Sequence, residues 1–280
     1  MFKGRAIEPV VLFLAEDGLV RLDGQGELPS DGSGFVRCSD RTIVLPAPTE
    51  RRRPRRYCST CSVEKGRARA GAVHTGRMYS RALAVTALAY AVLHHLGLLP
   101  SGLGSAPDGT RWGDWLDLAV PWLVLAPAAV TLWAARACVR PWVIFGAGVV
   151  AYTSGHGIHL AANSIGNRNP GRTAHLWDEI VGHYVWFAGV AFVLAALALT
   201  MVGRPRPHAV GYVLAAGAGL TWASNAVGGG TLLFSLAVAI AATVFGWVRR
   251  RELGVVLLVG YLPAALVLSV ELALHAASGL

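Results

Sequence analysis

The sequence predicts an all-α, polytopic transmembrane bundle of about seven spans, with a cytoplasmic N-terminus and an external C-terminus. Three observations predict it. Of the 280 residues, 54% are hydrophobic and 15% are charged, whereas a soluble domain carries roughly 25% charged residues. The charge is crowded into residues 1–77, which hold 14 of the 25 Lys+Arg and 9 of the 16 Asp+Glu. Beyond them the chain breaks into apolar runs of about 20 residues, the length that crosses a bilayer at ~1.5 Å per residue.

Residues 1–77 are polar and rich in Arg and Gly, with the run Arg51-Arg52-Arg53-Pro54-Arg55-Arg56. Apolar residues do not recur there with a helical or strand period, so a disordered tail is expected. Val10–Ala15 is a short apolar run closed by Glu16 and Asp17, which is not the pattern of a signal peptide. Met78 directly precedes the first span and is the one methionine between Met1 and Met201. A start at Met78, with residues 78–280 as the whole protein, is therefore one expectation for the chain. Cys58-Ser-Thr-Cys61 with Cys38 and His74 has no regular metal-ligand spacing, and the four cysteines indicate no disulfide framework.

Seven spans follow, at roughly 79–99, 115–137, 141–164, 179–201, 208–227, 230–248 and 254–277. Pro100, Pro141, Pro205 and Pro207 mark their ends. Pro121, Pro127 and Pro263 fall inside spans, where neighbouring helices can satisfy the freed backbone groups. Gly217-Ala-Gly219 and Gly228-Gly229-Gly230 suit close helix packing or a turn. Trp112, Trp115, Trp177 and Trp186, near span ends, read as an aromatic belt.

Arginines orient the bundle. The N-terminal flank is basic, and so are the connectors with Arg136 and Arg140, with Arg204 and Arg206, and with Arg249-Arg250-Arg251. The other side has Arg111, Arg168 and Arg172 spread over longer loops. The net charge of +9 thus reads as membrane topology in a multi-pass cell-membrane protein; no nucleic-acid partner is expected.

Ionisable groups inside spans are expensive and point to function. With this topology His94, His95, His156, His159, Glu179, His183, Asn225, Glu271 and His275 share one depth, near the external side, and Asp117 opens the second span there. At ~100° per residue, His156, His159 and Asn163 lie on one stripe. Glu179 and His183 are four apart, as are Glu271 and His275, so each pair can converge. Asp178 and His183, five apart, point about 140° from each other. The bland reading is a set of interfacial residues, with Asp178 or Glu179 starting a helix.

Imidazoles with carboxylates suit zinc or iron. His156, His159 and His183, with Glu271 or His275, are the expected metal ligands. Glu179 or Asp178 would be the general base on a metal-bound water, and His94, His95, Asn163 and Asn225 are accessory candidates. The reaction would be hydrolysis of a lipid-like substrate in the bilayer. In having seven spans with histidines and carboxylates on several helices, including the last, the chain resembles the seven-helix membrane hydrolases grouped with alkaline ceramidases and adiponectin receptors. That resemblance implies a zinc held by three histidines, two of them as HxxxH late in the chain, with a Ser and an Asp nearby. Here Glu271-Leu-Ala-Leu-His275 stands in place of HxxxH, the closest His pair is HxxH at His156 and His159, and Ser154 is five residues from His159. The resemblance also implies a cytoplasmic-side site, so it extends to architecture and to no individual residue. Three other readings stand beside it: haem held by histidines from two helices, a transporter with His and Glu on a proton or cation path, and a membrane partner protein without chemistry.

Overall fold

Proline and glycine decide where the helices of this chain stop and how near they approach. The computed structural model describes residues 12–15, 18–21, 35–38, 41–44, 59–95, 103–105 and 110–278, with side chains from residue 76 onward. The chain divides into two units, Met1–Ser62 and Val63–Leu280. In the first, β1 (Leu12–Ala15) pairs antiparallel with β2 (Gly18–Arg21), and β3 (Phe35–Cys38) with β4 (Arg41–Val44). An isolated two-stranded hairpin is marginal in water, in keeping with a segment that has too few apolar residues for a core. The side chains of Cys38, Cys58, Cys61 and His74 lie outside the described residues.

From Ser59 onward the described chain is helical, in seven rods. They are α1 (Ser59–Leu93), α2 (Trp112–Asp117) with α3 (Val120–Ala134), and α4 (Val139–Arg168). Next comes a compound rod of α5 (Arg172–His175), a π-helical segment (Leu176–Gly182) and α6 (His183–Met201). The last three are α7 (Ala209–Gly228), α8 (Leu232–Val248) and α9 (Val255–Ser278). Among the described residues three stretches are long and apolar enough to cross a bilayer: Trp112–Ala134, Arg172–Met201 and Val255–Ser278. Six of the rods overlap the expected spans 2–7, whereas α1 starts at Ser59, inside the expected tail and well before the expected start at 79, and the second rod is not one continuous helix. The second is jointed at Leu118 and Ala119, because Pro121 has no N–H to give to the carbonyl four residues back and its ring crowds that carbonyl.

The tightest seam joins α4 to α6, antiparallel. A Cβ on Gly155 would strike the main chain of Trp186, and one on Gly189 the main chain of Tyr152. A Cβ on Gly148 would lie 2.9 Å from Val193 Cγ2. Small residues let helix backbones meet in this way where apolar burial gives little drive to associate. The same device recurs where Gly219 faces the carbonyl of Gly260 between α7 and α9, and where Gly246 meets Leu258 between α8 and α9. Gly230, with φ of 62°, makes the turn from α7 into α8.

The outward surface is apolar. Val139, Val213, Leu233 and Trp133 are each about two-thirds exposed or more. Hydroxyls along the rods bond back to the preceding turn, as Thr86 to the Ala82 carbonyl, Thr153 to that of Val149, Thr243 to that of Ala239 and Ser269 to that of Ala265. They need no water.

If the α4–α6 seam depends on bare glycine, Gly155→Ala costs about 1–3 kcal/mol by overpacking. Gly157, with open space around it, becomes neutral to about 1 kcal/mol more stable as alanine. Reversible denaturant unfolding of the detergent-solubilised protein separates the two.

Candidate functional site

His156 and His159 project from α4 next to the Gly155–Trp186 contact, so their place is fixed by that seam. His156 is 1% exposed. Its Nε2 lies 3.0 Å from the Asp117 carbonyl and 3.5 Å from the Asp117 carboxylate. Pro121 explains this partner. Residue 121 would normally donate to the carbonyl of residue 117, and a proline cannot, which leaves that carbonyl open at the α2–α3 joint. Because a carbonyl only accepts, Nε2 carries the proton. Nδ1 is then a bare lone pair, buried and without a hydrogen-bond partner.

His159 faces the compound rod. Its Nδ1 is 2.6 Å from Asp178 Oδ1, a close contact whose angle lies outside hydrogen-bond geometry. The π-helical segment makes the approach: a π turn holds more residues than an α turn, and it turns Asp178 toward α4. Gly182 completes it, since a Cβ there would lie 2.9 Å from both the N and Cα of His159. His183 follows at the start of α6, its Nδ1–H directed at the Glu179 carbonyl at 3.2 Å with the Glu179 carboxylate at 3.5 Å. The His159 and His183 rings are 4.4 Å apart.

His94, at the end of α1, joins through Tyr152. Its Nδ1–H donates to the Tyr90 carbonyl at 3.2 Å, so its Nε2 accepts, from the Tyr152 hydroxyl at 2.6 Å. Trp186 is the hub. It is buried, and its ring centre lies 4.9–5.8 Å from those of His94, His156, His159 and His183. The expectation that Trp186 belongs to an aromatic belt is therefore corrected, because the Gly155 contact pulls it into the bundle; Trp112, Trp115 and Trp177 are exposed.

The other expected residues divide. His95 turns to α7, where its Nε2 meets Thr221 Oγ1 at 3.1 Å. Asn163 accepts from Asn167 at 3.1 Å on exposed surface. Asn225 lies one turn before Gly229, which abuts the His183 ring, and its Nδ2 is buried without a partner. Glu271 and His275 pair with each other at 3.3 Å on an exposed part of α9, and no described contact ties them to the Trp186 cluster. Asp117, Tyr152 and Trp186 were not among the expected site residues. Pro121 was the available signal for Asp117; nothing local marked the other two.

The cluster thus gathers four histidines with Asp117, Asp178 and Glu179 from four rods. Among the described residues no three His, Cys, Asp or Glu side chains converge as a ready metal shell. Searches against protein-family models, curated proteins and solved structures give no match.

Tyr152→Phe would leave the buried His94 Nε2 without its donor. The expected loss is about 1–3 kcal/mol of stability, read by the same unfolding assay. Ser154→Ala, at an exposed position on the same helix, should change it by less than about 0.5 kcal/mol.

Proposed function

We propose that this chain is a seven-span cell-membrane protein with a cytoplasmic N-terminus and an external C-terminus. In this reading its external His–carboxylate cluster takes up zinc or iron for hydrolysis of a lipid-like substrate. One observation carries it. His156, His159 and His183 each have one ring nitrogen set against a carboxylate, and for His156 and His183 also a main-chain carbonyl, from Asp117, Asp178 and Glu179. That is how metal-ligating histidines are oriented, by a partner on the nitrogen that does not ligate. The unpartnered Nδ1 of His156 is the nitrogen this pattern reserves for a ligand.

The residues then take separate roles. Asp117 and Asp178 orient His156 and His159. Glu179, whose side chain is 41% exposed against 13% for Asp178, is the better general base, since it can reach a water. Bound metal would supply hydroxide near neutral pH by lowering the pKa of that water to about 7. Glu271 and His275, on their own part of α9, are left out of the ligand set. The resemblance to seven-helix hydrolases stays one of architecture.

A proton-coupled transporter is the second reading. Its support is the Tyr152–His94 hydrogen bond, because Tyr152 also lines a cavity reaching toward the other end of the bundle. Haem fits less well: the His159 and His183 rings approach to 4.4 Å with Trp186 beside them, which leaves no room for a macrocycle between the two.

Two outcomes are expected. The full chain remains in the membrane pellet after alkaline carbonate washing; release into the supernatant would refute the membrane reading. Elemental analysis of detergent-purified protein finds close to one zinc or iron per chain, lost in His156→Ala/His183→Ala. A metal-free protein after incubation with either ion refutes the metal site and favours the transporter reading, and a Soret band moves the assignment to haem.

A further inference from the structure

The opposite end of the bundle holds a cavity of about 760 Å³ between α1, α6, α7 and the start of α9. It exists because α1 is fastened at two separate places, at Tyr79 in its middle and at its C-terminal end. At one, the Tyr79 hydroxyl meets Thr200 Oγ1 at 3.1 Å. At the other, His94 meets Tyr152 and the Thr221 hydroxyl donates to the Ala91 carbonyl at 3.1 Å. Between these ties the lining includes small residues, Ala84 and Ala87 on α1 and Gly211, Ala215 and Ala218 on α7. They leave the two helices apart. Leucine and valine side chains of α6, α7 and α9 complete apolar walls, and the size falls in the range of small-molecule sites, about 300–1,000 Å³, enough for part of a lipid.

The rim is unlike the walls. Arg77, Arg81, Arg204, Arg206 and His208 line it, and no Asp or Glu does. Arg77 and Arg81 are one helical turn apart, a like-charge spacing that is unfavourable by itself. Arg204 is held in place by its Nε–H on the Thr200 carbonyl at 2.7 Å and by stacking on the Tyr79 ring at 3.7 Å. Arg206 is held by two bonds to the Arg250 carbonyl. Carbonyls and rings fix these guanidiniums without neutralising them. Elsewhere the chain does provide carboxylates, as Asp114 for Arg111 and Glu252 for Arg249. Among the described residues the four rim arginines have none. Four cations around the mouth of an apolar cavity specify an occupant with an anionic head and a hydrocarbon tail.

We infer that this cavity binds an anionic phospholipid, its phosphate held by Arg77, Arg81, Arg204 and Arg206 and one acyl chain lying between α1 and α7. Arginine suits the role because its planar donors match phosphate oxygens in pairs. Basic pockets between membrane helices take anionic headgroups in this manner. In the proposed orientation the rim lies at the cytoplasmic leaflet. The inference rests on the membrane reading and is independent of the metal.

The test is native mass spectrometry of the full chain released from detergent micelles carrying phosphatidylglycerol or phosphatidylcholine of identical acyl chains. A single retained phosphatidylglycerol is expected, preferred about tenfold or more over phosphatidylcholine. Arg77→Gln/Arg81→Gln, two exposed positions, should bring that preference to within about threefold with unfolding unchanged. Ala87→Trp, filling the cavity from α1, should weaken retention of both lipids. Equal retention of the two lipids by the unaltered chain overturns the inference. So does a preference that survives the arginine substitutions, or displacement of the lipid by inorganic phosphate alone. Carbonate extraction reads the membrane assignment separately, so failure there is distinguishable from failure here.

Discussion

Gly148, Gly155 and Gly189 let α4 and α6 meet backbone to backbone, and the polar end of the molecule is arranged around that meeting. In a medium where apolar side chains gain little by leaving the solvent, close approach of main chains is a principal source of association. The approach at Gly155 places Trp186 inside the bundle, and Trp186 then spaces four histidines around its ring. The approach at Gly182 carries the π-helical segment onto α4, which is why Asp178 lies against His159. A side chain at Gly155 would push α6 away through Trp186, and one at Gly182 would press on the main chain of His159 itself.

What could be read from the sequence was whatever one helix decides alone. Apolar runs and proline- or arginine-marked connectors placed the second to seventh rods, but not the start of α1, which begins at Ser59 in a stretch too polar to be read as a span. The four-residue pairs Glu179–His183 and Glu271–His275 form as spaced, and His156 and His159 do share a face. What could not be read was which rods are neighbours. Helices that are apolar all round give no periodic cue to the face they bury, so the Asp178–His159 contact and the Tyr152–His94 bond depend on a register that the sequence does not print. Asp178 shows the second source of error. Its direction was reckoned on an α-helix, while the segment from Leu176 to Gly182 is π. The joint at Leu118–Ala119 shows a third. Pro121 was visible, but the consequence, a carbonyl freed for a histidine on another rod, needed the neighbour to be known.

The two ends of the bundle divide the chemistry. Histidines and carboxylates collect at one, where main-chain groups set their tautomers. Arginines without carboxylates collect at the other, around the mouth of an apolar cavity. Tyr152 belongs to both: it lines the cavity and donates to His94. Several hydroxyls elsewhere, those of Thr86, Thr153, Thr243 and Ser269, are turned back onto their own helices.

The shortest rod bears on the surrounding lipid. At about 1.5 Å per residue, the 17 residues of α8 extend about 25 Å, against a hydrocarbon core of about 30 Å. The deficit cannot be met by tilting, which shortens a helix further. In the proposed topology the bilayer thins beside α8, and Arg249, Arg250 and Arg251 draw the headgroup layer toward its end. Seen from the membrane, the protein is then a lopsided inclusion, with a dimple on the α8 side and nearly unperturbed thickness beside the longer α9.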